Sequence, residues 1–255
     1  MNPASTADLV SVIMPAYNAA RFIDETAASV IAQTYTNWEL LVVDDCSKDD
    51  TRAHLARLAA LDPRIKPIYQ EKNGGPARAR NAALRAARGV YLAYLDADDV
   101  WLPQKLERQI AFMRERKTGL SYTAFRRMTF QGEQLGELRP LTPSLTYADL
   151  LKNTAIVTST VVIDRRITGD FEMPITYYDD FATWLLILKR GHVAYGLDED
   201  LLRYRIVVAS VSRNKSKSAK MVWRTYRDIE KLSLPHSAWC FAHYAWRAFR
   251  KYRTL

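Results

Sequence analysis

An apolar segment runs directly into a group of aspartates in the stretch Val90-Tyr91-Leu92-Ala93-Tyr94-Leu95-Asp96-Ala97-Asp98-Asp99. A short apolar run that ends abruptly at polar residues predicts a buried β-strand. Carboxylates crowded at the end of such a strand repel one another unless a cation or hydrogen-bond donors offset the repulsion. The stretch therefore predicts a strand that delivers acidic side chains to its carboxyl end.

The residues before this strand alternate between strand and helix patterns. A second buried-type strand, Glu39-Leu40-Leu41-Val42-Val43, also ends in aspartates, Asp44-Asp45. The other predicted elements are strands at 10–14 and 65–69 and helices at 23–31, 55–59, 76–88 and 102–113. This alternation is typical of a parallel sheet covered by helices. Because ligands bind beyond the carboxyl ends of the strands in such sheets, the two aspartate groups mark the expected site.

Beyond residue 118 the pattern is mixed. The predicted elements are short strands at 119–124, 126–130 and 158–163, a helix from 179 to 190 that Gly191 ends, and helices at 216–231 and 237–252. We therefore expect an α/β domain over residues 1–215. Its nucleotide-binding half would cover about 8–118 and its acceptor-binding half about 119–215, with 216–255 as a helical C-terminal appendage.

Charge and composition narrow the class of protein. The chain has 255 residues and a formal net charge of +9. That charge favours a negatively charged partner and leaves nucleic acid, nucleotide phosphates and an anionic lipid surface open. The start of the chain lacks the pattern of a signal peptide, and no apolar run approaches the ~20 residues that span a bilayer. With only two cysteines, we expect a cytoplasmic protein without a disulfide framework.

A divalent cation and a diphosphate fit the predicted sheet edge. Mg²⁺ and Mn²⁺ prefer oxygen ligands and typically bind through one or two carboxylates together with substrate phosphates. Such an ion would neutralise the charge that develops as a nucleoside diphosphate leaves. The helix that begins at Gly74-Gly75-Pro76 carries Arg78 and Arg80 on its first turns, where they could meet phosphate oxygens. The aspartates could instead cap helices, and the arginines could form a solvated face.

Two common nucleotide-binding folds lose their support. The residues after the first strand, Pro15-Ala16-Tyr17-Asn18-Ala19-Ala20, contain neither the glycine fingerprint of a dinucleotide site nor a Walker lysine. The interpretation as a nucleic-acid-binding protein would depend on the basic charge alone, and it would leave the aspartates unexplained. We therefore expect no nucleic-acid partner.

Several motifs, in their order along the chain, resemble those of the inverting family 2 glycosyltransferases, whose nucleotide-sugar domain has the GT-A fold. They are Pro15-Ala16-Tyr17-Asn18, Val43-Asp44-Asp45-Cys46-Ser47 with Asp49-Asp50-Thr51, Gly75 to Asn81, and Leu95 to Trp101. The final third is most similar to the teichuronic acid or lipopolysaccharide-type branch, through residues 178–185 and 191–197. The resemblance implies an α/β fold with a mixed, mainly parallel sheet flanked by helices.

The same resemblance implies a donor site built from five residues. Pro15, Tyr17 and Asp45 would hold the nucleobase, with Asp45 accepting a hydrogen bond from a uracil or thymine imide. Arg80 would face the nucleotide at the base or the diphosphate, and Asp96 would lie near the ribose. A UDP-sugar is the favoured donor, and a dTDP-sugar stays open.

The resemblance also implies a metal ligand and a catalytic base. Asp98 would bind Mn²⁺ or Mg²⁺, and Asp180 would deprotonate the acceptor hydroxyl. Asp180 could instead be a first-turn carboxylate favoured by the helix dipole. The candidate contacts to the acceptor or the diphosphate are Asp179, where the family usually has glutamate, Trp184, Arg205 and Arg213. The last two lie in a segment, interpreted as a loop from Arg203 to Lys215, that could close over the diphosphate.

The implied function is the transfer of a sugar, with inversion, to a saccharide or lipid-linked acceptor in cell-surface polysaccharide synthesis. A catalytically silent nucleotide-sugar-binding subunit of an assembly complex, in which Asp180 is dispensable, stays open. From Trp239 to Tyr252 aromatic residues are interleaved with Arg247, Arg250 and Lys251. That composition suits an element lying on the inner face of an anionic membrane. Packing on the catalytic domain, or on a second subunit of a homo-oligomer, is the rival interpretation.

Overall fold

The computed structural model describes residues 8–206 and 215–253. Its strands are β1 (Val10–Ala16), β2 (Trp38–Asp44), β3 (Ile65–Tyr69), β4 (Tyr91–Tyr94), β5 (Val100–Trp101), β6 (Leu120–Met128), β7 (Gln134–Leu135), β8 (Ser144–Leu145), β9 (Val162–Asp164) and β10 (Ala194–Arg205). Its helices are α1 (Ile23–Ile31), α2 (Thr51–Leu61), α3 (Pro76–Ala86), α4 (Lys105–Arg116), α5 (Tyr147–Leu150), α6 (Arg165–Thr168), α7 (Asp179–Lys189), α8 (Lys215–Arg224) and α9 (Leu234–Arg253). The chain also forms a 3₁₀ turn at Thr158–Thr160 and a π-helical turn at Thr225–Ile229.

The strands of the described ranges form one sheet in the order β3-β2-β1-β4-β9-β6-β10-β5, with β7 beside β6 and β8 beside β10. β1 runs parallel to β2 and β4, so that Ala16 lies opposite Asp44 and Ile13 opposite Tyr94. β9 is antiparallel to β4 and β6, whereas β10 is parallel to β6. The predicted mixed sheet flanked by helices is confirmed. The carboxyl ends of β1, β2 and β4 share one edge, where both aspartate groups therefore lie.

Helices cover both faces of this sheet. Successive side chains of a strand point to opposite faces, so Ile13 and Leu41 pack on the side of α3 and α7, whereas Val12 and Leu40 pack on the side of α1, α2 and α4. Helix α9 joins the α3 side through the buried Cys240. Burial of the strands on both faces explains why β1 and β2 are almost uninterrupted apolar runs.

Several assignments made from the sequence beyond residue 118 are wrong in detail. The strand predicted at 126–130 is the end of the single strand β6. The strand predicted at 158–163 begins with the 3₁₀ turn and enters β9 only at Val162. The helix predicted at 216–231 divides into α8 and the π-helical turn. The helix predicted at 179–190 is confirmed as α7, and Gly191, with φ +94°, follows it.

The sequence pattern also misses β10, and the residues 203–205 that were interpreted as loop form its end. Charged residues interrupt its alternation, and its pairing with β6 shifts register twice, between Leu197 and Asp200 and between Asp200 and Arg203. A strand with such irregularities lacks the regular period that sequence patterns detect.

Among the described residues, no helix combines the length and the apolar character that crossing a bilayer requires.

Candidate active site

The loops after β1 and β2 are fastened to each other at the sheet edge. The Asn18 amide donates to Ser47 Oγ (2.9 Å), and the Lys48 amide donates to Asn18 Oδ1 (2.8 Å). Asn18 adopts the left-handed conformation (φ 51°), which asparagine tolerates better than most residues. These bonds hold the half-exposed Tyr17 beside the strand end that carries Pro15.

Asp45 is the aspartate of the first group that faces the site. Its side chain is almost fully buried, and its two carboxylate oxygens accept hydrogen bonds from the amides of Gly74 and Gly75, each at 2.7 Å. A carboxylate offers about four acceptor positions, so Asp45 keeps acceptor capacity for a nucleobase N–H. Asp44 is fully buried and pairs with Arg52 (2.6 Å), which gives it a structural role.

Arg80 connects the donor edge to α7. Its guanidinium bonds Asp96 through Nη2 (2.6 Å) and Asp179 through Nη1 (2.7 Å), and the residue is only 6% exposed. Burial opposes the charge of Arg80, but the carboxylates of Asp96, Asp179 and Asp180 outweigh burial and raise its pKa. Arg80 is therefore a buried cation shared by the D-x-D element and the first turn of α7.

The D-x-D element lies directly after β4. The Asp96 carboxylate is about one-third exposed, and its amide donates to Ser159 Oγ (3.0 Å). Burial, followed by the charge of Asp96, raises the pKa of Asp98 to about 6. Asp99 is buried and accepts a hydrogen bond from the Arg205 amide (2.9 Å). Asp99 therefore ties the end of the D-x-D element to β10.

The donor set suits a hard divalent cation that is also held by a substrate. Asp96 and Asp98 offer oxygen ligands, and a cation would offset both the burial of the Asp98 carboxylate and its repulsion by Asp96, which together raise its pKa. Within the described ranges, no group of three or more histidine, cysteine, aspartate or glutamate side chains is arranged to hold a metal alone. The residues therefore fit an ion bound by one or two carboxylates together with a diphosphate.

Asp180 lies in the first turn of α7. Its Oδ2 accepts from the Thr158 hydroxyl (2.7 Å), and its Oδ1 accepts from the Phe181 amide (2.6 Å). Burial, followed by the charge of Asp179, raises the pKa of Asp180 to about 6, against the opposing effect of Arg80. A carboxylate with this pKa is ionised at neutral pH and can accept a proton from a hydroxyl.

Three candidate contacts to the acceptor or the diphosphate have other surroundings. Trp184 is 1% exposed and packs edge-on against Tyr94 in the core, because its face of α7 is apolar. The buried guanidinium of Arg205 donates to Glu25 and to the carbonyls of Asp98 and Phe130, so it is not free to reach a diphosphate. Asp179 is occupied by Arg80. Arg213 lies outside the described residues.

Thr158 and Ser159, which contact Asp180 and Asp96, were not predicted as site residues from the sequence. The one available signal in the sequence is the run of three hydroxyl residues, Thr158-Ser159-Thr160, in a segment that was predicted to be a buried strand.

A parallel sheet edge that combines a buried carboxylate held by two glycine amides, a D-x-D element and a separate buried carboxylate is the arrangement of a glycosyltransferase of the GT-A type. The sequence profile described as Glycosyl transferase family 2 matches residues 11–169. This chain belongs to that family.

Two relatives support the assignment over nearly the whole chain. The Bacillus subtilis (strain 168) protein named as the teichuronic acid biosynthesis glycosyltransferase TuaG is 48% identical over 95% of this chain and 97% of its own. WfgD of Escherichia coli, named as a UDP-Glc:α-D-GlcNAc-diphosphoundecaprenol β-1,3-glucosyltransferase, is 39% identical over 87% of this chain and 86% of its own.

Two solved structures share the fold. TarS 1–349 of S. aureus in complex with UDP superposes with a TM-score of 0.69 at 20% identity, covering 94% of this chain and 72% of that one. The mannosyltransferase PcManGT of Pyrobaculum calidifontis, in complex with GDP-Man and Mn²⁺, gives 0.68 at 18% identity, covering 92% and 72%. At these identities the similarity establishes the GT-A architecture.

Proposed function

We propose that this glycosyltransferase moves a sugar, with inversion, from a UDP-sugar to a lipid-linked saccharide in cell-surface polysaccharide synthesis. One observation carries the proposal: Arg80 bridges Asp96 of the D-x-D element to Asp179, the neighbour of Asp180. A carboxylate suited to act as a base therefore lies beside the donor edge. We also propose that residues 8–118 bind the nucleotide and residues 119–215 the acceptor.

In the proposed reaction Asp180 accepts the proton of the acceptor hydroxyl as its oxygen attacks the anomeric carbon. The new glycosidic bond forms on one face of the sugar while the bond to the diphosphate breaks on the other, so the configuration inverts in a single displacement. The bonds from Thr158 and from the Phe181 amide occupy one position on each carboxylate oxygen. The remaining positions can receive the proton.

The donor site is proposed to recognise a pyrimidine. Asp45, held by two backbone amides, presents a fixed acceptor to the N–H of a uracil imide, and Tyr17 and Pro15 lie beside it on the neighbouring loop and strand. The name of WfgD specifies a UDP-sugar donor, which supports uracil over thymine. Asp96 lies one strand further along the edge, in the place proposed for the ribose.

We propose that Asp98, assisted by Asp96, holds Mn²⁺ or Mg²⁺. When bound, the ion neutralises charge on the departing diphosphate. The complex of PcManGT contains Mn²⁺, which supports this metal class. The chain's own contribution is to hold the Asp96 carboxylate through Arg80 and the backbone of the element through the hydrogen bond from the Asp96 amide to Ser159 Oγ.

The acceptor is proposed to be presented at the inner face of the membrane, with the enzyme bound peripherally from the cytoplasm. The name of WfgD specifies a diphosphoundecaprenol-linked acceptor. Helix α9 carries Trp239, 49% exposed, with Lys152 Nζ 4.5 Å from its ring centre, and the exposed Arg247. Exposed tryptophan beside cations suits the interface of an anionic bilayer.

Calorimetric titration of UDP, dTDP, GDP and ADP, with and without Mn²⁺, tests the donor site. We expect tight binding of UDP that requires Mn²⁺ and is retained by Asp180→Asn. Transfer from UDP-glucose to GlcNAc-diphosphoundecaprenol should collapse in the same variant. Undiminished transfer by Asp180→Asn would overturn the role of the base, and the absence of nucleotide binding by folded protein would overturn the donor site.

A further inference from the structure

The 3₁₀ turn Thr158–Thr160 lies between the two parts of the active site. All three of its residues are at most 5% exposed. Inside the turn, the Thr160 amide donates to the Val157 carbonyl and the Val161 amide to the Thr158 carbonyl, both at 3.0 Å. The hydroxyls of Thr158 and Ser159 and the carbonyls of Ser159 and Thr160 bond to four other parts of the chain: α7, the D-x-D element, β5 and α4.

We propose that this turn positions both parts of the reaction: Thr158 orients the carboxylate of Asp180, and Ser159 fixes the D-x-D element. The turn thereby sets the placement of the base relative to the donor. The Thr158 half of this inference rests on the role of Asp180 given under Proposed function. Neither residue contacts the donor or the acceptor in this scheme; each acts through another side chain or the backbone, so both are positioning residues.

The Thr158 contact fixes the plane of the carboxylate. Its hydroxyl donates to Asp180 Oδ2 at 2.7 Å, while the Phe181 amide holds Oδ1 at 2.6 Å. Two donors on two different oxygens leave the carboxylate no free rotation about its last bond. Without the hydroxyl, only Oδ1 would be held, and the oxygen that accepts the acceptor proton would be free to turn away.

The Ser159 contacts hold the chain on both sides of Asp98. Ser159 Oγ accepts from the Asp96 amide (3.0 Å). The Ser159 carbonyl in turn accepts from Trp101 Nε1 (2.9 Å). Asp98 therefore lies in a segment that Ser159 holds at Asp96, before it, and at Trp101, after it.

The turn is itself anchored to the scaffold. The Thr160 carbonyl accepts from Gln109 Nε2 (2.9 Å), and Gln109 Oε1 accepts from Lys105 Nζ (2.8 Å). Lys105 is fully buried, with its Nζ 4.2 Å from the ring centre of Trp101. Helix α4 thus contacts both the turn and Trp101, which follows the D-x-D element. These contacts hold the turn rigidly enough for it to fix the positions of Asp96 and Asp180.

Four variants test the proposal. Thr158→Val removes the hydroxyl at constant shape, Thr158→Ser restores it, and Ser159→Ala removes the other hydroxyl. The matched control is Thr123→Val, which alters a buried threonine of β6 whose hydroxyl has no hydrogen-bond partner among the described residues. Turnover is measured as the release of UDP from UDP-glucose, once with GlcNAc-diphosphoundecaprenol as the acceptor and once with water alone. The reaction with water is included because it needs the same base and no particular acceptor.

We expect Thr158→Val to lower kcat by about 10- to 100-fold, since small misplacements of a catalytic group have effects of this order. The Kd for UDP with Mn²⁺ should stay within about twofold, and Thr158→Ser should recover most of kcat. Ser159→Ala should instead weaken UDP binding by about fivefold, the effect of one lost hydrogen bond. Thr123→Val should leave both quantities unchanged.

The proposal is overturned if Thr158→Val retains the kcat of the control, or if both turn variants lose kcat and thermal stability in parallel without the split between kcat and Kd. Asp180→Asn, measured beside them, separates the two levels. If that variant is inactive while Thr158→Val is fully active, the positioning role alone fails. If Asp180→Asn is active, the proposed base fails, and the role of Thr158 fails with it.

Discussion

Arg80 and Asp179 form a buried ion pair of 2.7 Å between positions 99 residues apart in the chain. The second arm of the same guanidinium bonds Asp96 at 2.6 Å. Removing one partner of a buried pair leaves an uncompensated charge, which is far more costly than the net contribution of the pair suggests. The strength of this link therefore decides how firmly the two halves of the site are joined.

Asp179→Ala is expected to lower the free energy of unfolding by about 3 kcal/mol, because Arg80 loses one of its two buried partners. Urea denaturation at pH 7 measures the effect. The matched control is Glu172→Ala, which breaks the exposed pair with Arg85 and should change the free energy by less than about 1 kcal/mol. Equal effects of the two variants would show that the buried bridge contributes no more than a surface contact.

The rate of transfer should depend on pH through Asp180. With a pKa of about 6, the base is ionised above that pH and protonated below it, so kcat/KM should fall with decreasing pH below about 6. Asp179→Asn removes a negative charge that raises this pKa, so it should move the fall to lower pH. Rates between pH 5 and 8 at saturating metal are the measurement. A profile that is flat through pH 6, or a shift to higher pH in Asp179→Asn, would contradict the assignment.

Asp180 should also make the fold less stable at neutral pH. A carboxyl group whose pKa is raised in the folded state contributes stability while it is protonated and loses that contribution as the pH rises through about 6. Asp180→Asn keeps the shape without the charge, so it should be more stable than the wild type by about 1 to 3 kcal/mol at pH 8 and nearly equal at pH 4. Unfolding curves at the two pH values test this, and a stabilisation that is independent of pH would refute it.

The first hundred residues could be predicted from the sequence because their strands are buried on both faces and carry continuous apolar runs. Asp45, Asp96 and Asp98 follow such strands directly, so the edge that they share was predictable. The pairing of Arg80 with Asp179 could not be predicted, because Asp179 is 99 residues away in the chain and only the packing of α7 brings it to Arg80.

The second half was harder because its strands do not follow a simple period. β10 contains charged residues and shifts register twice against β6, and the turn at Thr158 resembles a buried strand in composition. Trp184 was a candidate contact to the acceptor or the diphosphate, whereas in the structure it packs against Tyr94 in the core. Its apolar neighbours on α7, such as Leu185 and Leu188, are buried in the same core. Their pattern predicts that this face of the helix is buried, but it does not show which residues near Asp180 are thereby kept from contacting a ligand.

Glu39 is expected to govern acid stability away from the site. Its side chain is 2% exposed, and hydrogen bonds from Lys66, Ser11 and Arg88 overcome the effect of burial and lower its pKa to about 2. A carboxyl group with a lowered folded pKa contributes stability above its unfolded pKa and loses it as the pH falls towards 2. Glu39→Gln should cost about 1 to 3 kcal/mol at pH 7 and much less at pH 2.5, with kcat per folded molecule unchanged.

The exposed face of α9 provides a test of membrane contact. Trp239→Ala and Arg247→Ala should each weaken binding to vesicles that contain about one-third anionic lipid, because one variant removes an interfacial aromatic ring and the other about 1 kcal/mol of electrostatic attraction. Cosedimentation at low and high salt measures both. Only the Arg247 component should be screened by salt.

The matched control for this surface is Arg85→Ala, an exposed cation on α3 rather than on α9. If charge alone brings this basic protein to the vesicles, Arg85→Ala and Arg247→Ala will weaken binding equally and Trp239→Ala will have no effect. That result would show that vesicle binding is a nonspecific effect of the net charge, and it would leave α9 as a helix that packs on the core through Cys240. A specific loss in the two α9 variants would instead place the enzyme at the surface where a lipid-linked acceptor is presented.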